Sequence, residues 1–245
     1  MTQEAYHIEY KILSSDVDLH RRLRLSRLFT LLQEAAIAHT EALGFGRDKT
    51  LDRGWLWVVA LQQLRIQRLP VYDEHIVLDS VPGETMHTLF PRYYRISDAA
   101  GSELLTASSI WTLMNAETRS MASPQETGVL IHGMAADWDC FFPKPPKAAV
   151  DTAPVSWTVP YSVTDLNGHM NNARYLDLAV DAMPARLREL PLREIQAEYA
   201  AELRLGDSME LRAEAREHSF LFSGFTDKRI FRLGFAFEPQ QSAQA

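Results

Sequence analysis

The sequence predicts an α+β fold in which each half of the chain folds as a long helix packed against an antiparallel sheet. Two observations support this class. Runs of strand length, rich in β-branched and aromatic residues, are separated by short turns, and one stretch with helical periodicity precedes most of them in each half. The second half also repeats the order of elements of the first, which indicates an internal duplication and two similar domains.

The first half opens with a strand and a helix. Residues 6–12 alternate between apolar and polar side chains, as a half-buried strand does. After a polar turn, apolar residues recur at helical spacing until Gly44 supplies a stop. They are Leu28, Phe29, Leu32, Ala35, Ala36, His39 and Leu43. Because no second metal ligand is near His39 in sequence, we expect a buried, hydrogen-bonded histidine at this position.

Four strand-like runs follow the helix, separated by turns that contain Pro, Gly or Asp. They cover residues 55–66, 75–81, 89–97 and 104–115. Regularity then fades, and the proline-rich residues 142–147 indicate an extended connector. We therefore predict an N-terminal domain at residues 1–127, a linker at 128–152 and a C-terminal domain at 153–245.

The second half follows the same plan. A strand is predicted at residues 154–163, and a helix at 173–183 that ends before Pro184. Later strands are predicted at residues 195–204, 208–217, 220–226 and 230–237.

The polar turns that precede the two helices give an alignment of the halves. Residues 16–20 align with residues 165–169, because each run begins with Asp and ends with His. With the later turns as anchors, Glu202 aligns with Arg68. By this alignment only the second half carries the extra carboxylate.

Composition restricts the function classes. The net charge of -7 and the pI near 5.6 argue against binding held mainly by nucleic-acid phosphates. No apolar run approaches the ~20 residues that cross a bilayer, and the first residues lack a signal pattern; we expect a cytoplasmic protein. Cys140 is the single cysteine, so an intrachain disulfide is impossible. Its neighbours are aromatic, and we expect apolar surroundings and an inert thiol.

Residues 165–175 hold the densest group of polar side chains suited to chemistry. Asp165, Asn167 and His169 stand within five residues, followed by Asn171 and Asn172. One reading is a turn that caps the next helix, with Asn171 or Asn172 as N-cap. The other is an active site, which we favour because a cap needs only one such residue.

The chain resembles the acyl-acyl carrier protein thioesterases, tandem hotdog enzymes that release fatty acids from the carrier. In the first half the resemblance is carried by Gln33-Glu34-Ala35-Ala36, His39, Leu43-Gly44, Trp57-Val58-Val59, Arg68-Leu69-Pro70, Ser109-Ile110-Trp111 and Thr118-Arg119. In the second half it is carried by Asp165, Asn167, His169, Asn171, Asn172, Tyr175, Tyr199, Glu202 and Gly206-Asp207.

The resemblance implies two tandem hotdog domains and a thioester hydrolase of fatty acid biosynthesis. It implies the catalytic residues Asp165, Asn167, His169 and Glu202, an acyl carrier protein as partner, and no cofactor or metal. Plant members carry a cysteine directly after the equivalent of Glu202, whereas this chain has Leu203. A thiol mechanism is therefore not expected here.

These residues suit thioester hydrolysis, which needs an activated water, a stabilised oxyanion and a proton for the departing thiol. Glu202 or Asp165 could act as the base, and the sequence does not choose between them. Asn167 could position water or carbonyl, and His169 could move the proton. The N–H groups of the helix that follows suit an oxyanion.

Several alternatives stay open at this level. Glu202 could instead form a surface ion pair with Arg204 or Arg174. The activity could be that of an acyl-CoA thioesterase, or the chain could be a non-catalytic hotdog module that binds acyl groups. One chain already supplies two hotdog domains, which leaves a homodimer open without requiring it.

Two further expectations concern the substrate. The first-half helix, with Trp55, Trp57 and Phe90, could line a tunnel for the acyl chain, although core packing explains these residues equally well. The densest basic cluster, formed by Arg21, Arg22, Arg24 and Arg27, could steer an acidic carrier protein.

Overall fold

The computed structural model describes residues 5–134, 138, 140–149 and 153–239. The outer ends of the two predicted domains and part of the predicted linker lie outside the described residues. In the described chain, ten strands form one antiparallel sheet: β1 (Tyr6–Lys11), β2 (Trp55–Ile66), β3 (His75–Pro82), β4 (Phe90–Asp98), β5 (Glu103–Asn115), β6 (Val155–Thr158), β7 (Leu192–Tyr199), β8 (Ser208–Ala215), β9 (Ser219–Phe225) and β10 (Arg229–Phe237).

The strand order is symmetric about the middle of the sheet. It runs β1-β3-β4-β5-β2-β7-β10-β9-β8-β6, so each half of the chain contributes five adjacent strands in the same relative order. The halves meet where β2 pairs with β7, from Leu61 opposite Glu198 to Arg65 opposite Glu194. A side-chain hydrogen bond of 3.0 Å from Gln63 to Glu194 crosses the same junction.

The helices of the described chain are α1 (Leu25–Ala42), α2 (Pro124–Thr127), α3 (Arg174–Ala182) and α4 (Ala185–Arg188). Helix α1 ends as predicted, with Leu43 as C-cap and Gly44 at a φ of 82°. Helix α3 has nine residues, half the eighteen of α1, and its bounds agree with the predicted helix at 173–183 to within one residue at each end. Proline at 184 ends it, since a proline cannot continue a helix.

One apolar cluster joins both helices to the sheet. Helices α1 and α3 contact each other, and their buried residues share the cluster with inward-facing residues of strands from both halves. Among the helices of the described residues, none combines the length and the hydropathy that a bilayer crossing requires.

The strand predictions of the first half are confirmed to within a residue or two, but two strands of the second half end earlier than predicted. The strand predicted at residues 154–163 ends at Thr158, and Tyr161–Val163 form a turn of 3-10 helix. Strand β7 ends at Tyr199 and not at residue 204. The N–H groups of Ala200 and Ala201 both donate to the carbonyl of Ile230, which interrupts the regular hydrogen bonding between β7 and β10. Glu202 therefore lies in a loop and not on a strand.

The turns before α1 and α3 share a hydrogen-bonding pattern, which corrects the alignment of the halves. The N–H of Asp18 donates to the carbonyl of Arg22 at 2.8 Å, and the N–H of Asp165 donates to that of His169 at 2.9 Å. Asp18, and not Asp16, therefore occupies the position of Asp165. The sequence alignment was wrong because it paired two histidines that do not correspond.

The position of Glu202 in the first half also changes. The N–H that follows each turn donates to Pro70 in the first half and to Leu203 in the second. These two residues correspond, so Leu69 occupies the position of Glu202. The predicted alignment with Arg68 is off by one residue.

The connector between the halves is hydrogen-bonded to strands of both halves of the sheet. The N–H of Lys144 donates to the Gln63 side chain at 3.0 Å, and the N–H of Ala149 donates to the Ser223 hydroxyl at 3.1 Å. Cys140 in this segment is exposed, so the expected apolar surroundings of its thiol are wrong. The ring of Phe141 packs against the Arg65 guanidinium instead.

Candidate active site

The Asp165 carboxylate organises the polar turn before α3. One of its oxygens accepts the backbone N–H of Asn167 at 2.9 Å, and the other accepts the side-chain amide of Asn171 at 3.3 Å. Gly168 has a φ of 76°, a left-handed conformation that glycine adopts without steric cost. Its N–H closes the turn on the Asp165 carbonyl at 2.9 Å.

The start of α3 differs from the prediction. Its N-cap is Ala173, which makes no side-chain cap hydrogen bond in the described chain, so neither Asn171 nor Asn172 is the N-cap. The Asn171 side chain accepts the N–H of Ala173 at 2.9 Å and so supports the approach to the helix. Several residues separate Asn167 from the helix, so the turn does not lead directly into the helix N-terminus as expected.

His169 and Glu202 lie side by side at the end of this turn. The His169 Nε2 atom is 3.3 Å from Glu202 Oε2. The His169 side chain is only 10% exposed, and the Glu202 side chain is 33% exposed. The backbone of His169 forms a β-bridge with Arg204, which holds the turn against the loop that carries Glu202.

Arg119 of the first half completes this cluster. Its Nη1 lies 3.2 Å from Glu202 Oε2 and 3.3 Å from Oε1, and its Nη2 lies 3.3 Å from His169 Nε2. The sequence-based site did not include Arg119. The predicted surface partners of Glu202 are wrong, since Arg174 pairs with Asp177 on α3 and Arg119 pairs with Glu202.

The structure thus brings two of the four predicted site residues into contact. Asp165 contacts the turn and Asn171, not the Glu202 carboxylate. Asn167 is exposed, and its side-chain amide makes no hydrogen bond to the rest of the described chain. The Asn167 side chain is therefore free to bind a ligand.

Two tyrosines lie close to the cluster. The ring of Tyr175 packs against Tyr199 at 5.9 Å and Phe231 at 4.4 Å between centroids. Burial, and secondly the charge of Glu202, raise the pKa of Tyr175 well above its ordinary value. The Tyr175 phenol is therefore neutral at every physiological pH. The hydroxyl of the second tyrosine, Tyr199, donates to the carbonyl of Asn172 at 3.2 Å.

The equivalent position in the first half is filled differently. Arg22 occupies the place of His169, and its guanidinium lies 3.0 Å from the Asp18 carboxylate. Leu69 stands where Glu202 stands in the second half. An ion pair and an apolar side chain replace the histidine and the carboxylate, so the first-half turn is structural.

Within the described ranges, no cluster of three or more His, Cys, Asp or Glu side chains is arranged to hold a metal ion. The three side chains that meet at the site carry an imidazole, a carboxylate and a guanidinium.

Two family models match the chain, one in each half. Residues 3–127 match the acyl-ACP thioesterase N-terminal domain, and residues 148–229 match the acyl-ACP thioesterase C-terminal domain. The chain belongs to the acyl-ACP thioesterase family. The family assignment inferred from the sequence is thereby confirmed.

Plant members of this thioesterase family are among its relatives. A chloroplastic acyl-[acyl-carrier-protein] hydrolase of Cuphea viscosissima is 27% identical over 209 residues, covering 79% of this chain and 51% of the relative. A dodecanoyl-[acyl-carrier-protein] hydrolase of Cinnamomum camphora is 26% identical over 74% of this chain and 51% of the relative. The chain spans about half the length of the curated relatives it matches.

Solved structures of thioesterases share the fold. An acyl-ACP thioesterase from Bacteroides thetaiotaomicron superposes with a TM-score of 0.85 at 23% identity, covering 97% of this chain and 100% of that one. The 12:0-ACP thioesterase from Umbellularia californica gives a TM-score of 0.79 at 20% identity, covering 96% and 98%. The predicted α+β class with two tandem hotdog domains is confirmed.

Proposed function

We propose that this protein hydrolyses the thioester of a fatty acyl-acyl carrier protein to a free fatty acid and the carrier thiol. The contact between His169 Nε2 and Glu202 Oε2 at 3.3 Å carries the proposal, because it joins a base and a proton carrier in a partly closed site. Family membership and the names of the plant relatives, which are acyl-carrier-protein hydrolases, support the same substrate class.

Glu202 is the better candidate for the base that activates water. Both oxygens of Asp165 already accept hydrogen bonds within the turn, whereas Glu202 is part exposed and lies beside His169. Glu202 therefore has a neighbour that can carry the proton onward, whereas the Asp165 carboxylate is engaged in its own turn. Asp165 then shapes the turn that presents His169.

The proposed reaction proceeds in two stages. Water attacks the carbonyl carbon while Glu202 accepts its proton, which forms a C–O bond and an oxyanion. The C–S bond then breaks, and the proton passes from Glu202 through His169 to the departing sulfur. Asn167 is exposed in the same turn as His169, and its side-chain N–H suits the carbonyl oxygen of the substrate.

A thiol-release assay tests the proposal. The protein is offered acyl carrier protein loaded with fatty acyl chains of several lengths, and acyl-CoA with the same chains. We expect faster thiol release from the carrier substrates. Faster thiol release from acyl-CoA would show that the protein is an acyl-CoA thioesterase. Binding of the acyl carrier substrate without thiol release would show a non-catalytic acyl-binding module.

The basic cluster of the first half gives a second, separable part of the proposal. Arg22 pairs with Asp18 and Arg27 with Asp16, whereas Arg21 and Arg24 are exposed. Carrier steering, if it uses this surface, depends on Arg21 and Arg24. Alanine at both positions is expected to raise KM for the carrier substrate and weaken its salt dependence. An unchanged KM and salt dependence would remove this surface from the proposal.

A further inference from the structure

The loop after β5 is built to hold Arg119 in one place. The Asn115 side chain accepts the N–H groups of Glu117 and Thr118 at 2.9 Å each, and the N–H of Arg119 donates to the Asn115 carbonyl at 3.0 Å. Arg119 itself has a φ of 59°, in the left-handed region. This conformation is sterically unfavourable for a residue with a Cβ, so the loop maintains an unfavourable backbone at the residue that reaches the site.

The gain in stability from its ion pair is too small to account for this arrangement. The side chains of Arg119 and Glu202 are 32% and 33% exposed, and solvent screening leaves such part-exposed pairs little net contribution to stability. What the contact does supply is geometry. The guanidinium reaches both oxygens of Glu202 and the ring nitrogen of His169 at once, which an ammonium cannot do in the same fixed plane.

The contacts of His169 Nε2 also fix the position of the ring. This nitrogen is 3.3 Å from Arg119 Nη2 and 3.3 Å from Glu202 Oε2. Arg119 contacts both partners, so it holds the imidazole edge and the carboxylate next to each other.

We propose that Arg119 is a positioning residue of the hydrolytic site, contributed by the first half, which aims the Glu202 carboxylate and holds the imidazole of His169 beside it. The inference rests on the proposed function. Once Glu202 has taken a proton from water, its O–H lies beside the imidazole. The O–H bond breaks as the imidazole takes up this proton, and the imidazolium then gives a proton to the departing thiolate.

The test compares three variants in the thiol-release assay with the carrier substrate that the unaltered protein hydrolyses. Arg119→Ala is expected to lower kcat by ~10²-fold, because loss of positioning at the reacting groups has effects of that size, and to leave KM within about threefold. Arg119→Lys is expected to recover little of kcat, because one ammonium cannot span both partners. Arg174→Ala, which removes an exposed pair with Asp177, is the matched control and is expected to keep full activity.

Chemical rescue separates positioning from a purely structural role. Guanidinium ion at a low, non-denaturing concentration is expected to restore part of kcat to Arg119→Ala and to leave Arg174→Ala unchanged. Circular dichroism and thermal melting establish whether each variant is folded. A folded Arg119→Ala with unaltered kcat, or one whose loss guanidinium does not reduce, overturns the inference.

Two outcomes separate this inference from the proposed function. If Arg119→Ala does not fold, Arg119→Lys takes its place, and a folded lysine variant with unaltered kcat overturns the role of Arg119. If the unaltered protein releases no thiol from any carrier substrate, the proposed function fails before the role of Arg119 is reached.

Discussion

The chemistry of the site depends on what each carboxylate touches. Glu202 contacts a guanidinium and an imidazole, whereas the Asp165 carboxylate contacts amide N–H groups of its own turn. Two acidic residues of similar intrinsic acidity are thus assigned different roles by their neighbours. This difference leads to two separate predictions.

Glu202→Gln is expected to lower kcat by ~10²-fold or more, because the amide keeps the shape of the side chain but cannot take a proton from water. Thiol release from the carrier substrate measures the effect. Glu210→Gln is the control, since Glu210 is an exposed glutamate whose charged neighbour, Arg212, is 3.9 Å away. Equal rates for the two variants would contradict the role of Glu202.

Asp165→Ala is expected to lower kcat by ~10²-fold through displacement of His169, because small misplacements of reacting groups have effects of this size. Asp165→Asn keeps an oxygen that accepts the Asn167 N–H, so we expect a smaller loss. Comparison of the two rates decides between a shaping and a charged role. If Asp165→Asn is as slow as Asp165→Ala, the charge itself takes part in the reaction.

The sequence resemblance groups His169 and Glu202 in one predicted site, and the structure brings these two side chains into contact, but the sequence assigns no role to Arg119. Its site partner Glu202 is 83 positions away in the chain, and no local pattern links them. The available signal was weak: Thr118-Arg119 carried part of the family resemblance without an assigned role. Only the pairing of strands from both halves places Arg119 at the site.

At the level of elements, strands and the first helix followed from local patterns, whereas boundaries near the site did not. Strand β2 ends in the same way as β7, with the N–H groups of Gln67 and Arg68 both donating to the Leu104 carbonyl, but Pro70 close behind it marks its end in the sequence. The end of β7 depends on a distant group, the Ile230 carbonyl, which draws two successive N–H groups out of the ladder. Glu202 lies in a loop for this reason. The pattern of apolar and polar residues around Glu202 does not indicate that the strand has already ended.

Gly224 in β9 is a second element-scale feature, because it makes room for a buried ring. A Cβ at this position would lie 2.8 Å from Phe231 Cδ1 and 2.9 Å from Met209 Sδ. Phe231 is fully buried and packs against Tyr175 behind the site. Because Gly224 has no side chain, the Phe231 ring has room to pack against Tyr175 of α3.

Gly224→Ala is expected to lower the free energy of unfolding by about 1–3 kcal/mol, the range for overpacking in a filled core. Urea denaturation measures it. Gly101→Ala serves for comparison, since a Cβ there meets no atom within 4 Å and only the φ of 85° opposes it; about 1 kcal/mol is expected. A Gly224 variant as stable as the original would show that Phe231 can move aside.

For the whole molecule, the sequence predicted the internal duplication and the fold class, but not which residues of the two halves correspond. The order of strands and helices repeats clearly, whereas the turns were aligned on a histidine that the structure does not match. The two halves have diverged at the turn itself: an Asp18–Arg22 pair in one, and the pair of His169 and Glu202 in the other. Similar backbone geometry therefore holds an ion pair in one half and the proposed catalytic residues in the other.

The interior of the first half contains a buried cation that affects the stability of the whole chain. Arg92 donates to the His39 Nδ1 atom at 3.0 Å, to the Ser80 hydroxyl at 2.9 Å and to the Thr40 hydroxyl at 2.9 Å. All three partners are neutral when His39 is neutral. This confirms the prediction that His39 is a buried, hydrogen-bonded histidine, which also stacks on Tyr6.

Burial, and secondly the charge of Arg92, lower the pKa of His39 from 6.5 to about 4. Because the folded-state pKa lies below the unfolded one, the unfolded chain binds the proton more readily, and stability is lost as the pH falls. The contribution is fully present above pH 6.5 and is gone below about pH 4, a loss of roughly 3 kcal/mol.

His39→Gln tests this linkage, since glutamine can accept the hydrogen bond from Arg92 but does not titrate. We expect the free energy of unfolding of the unaltered protein to fall more steeply between pH 6.5 and pH 4 than that of the variant, because only the former takes up this proton on unfolding. Urea denaturation at a series of pH values measures both slopes, and the other ionisable groups are common to the two proteins. Parallel slopes would mean that His39 titrates alike in the folded and unfolded chains, contrary to its burial beside Arg92.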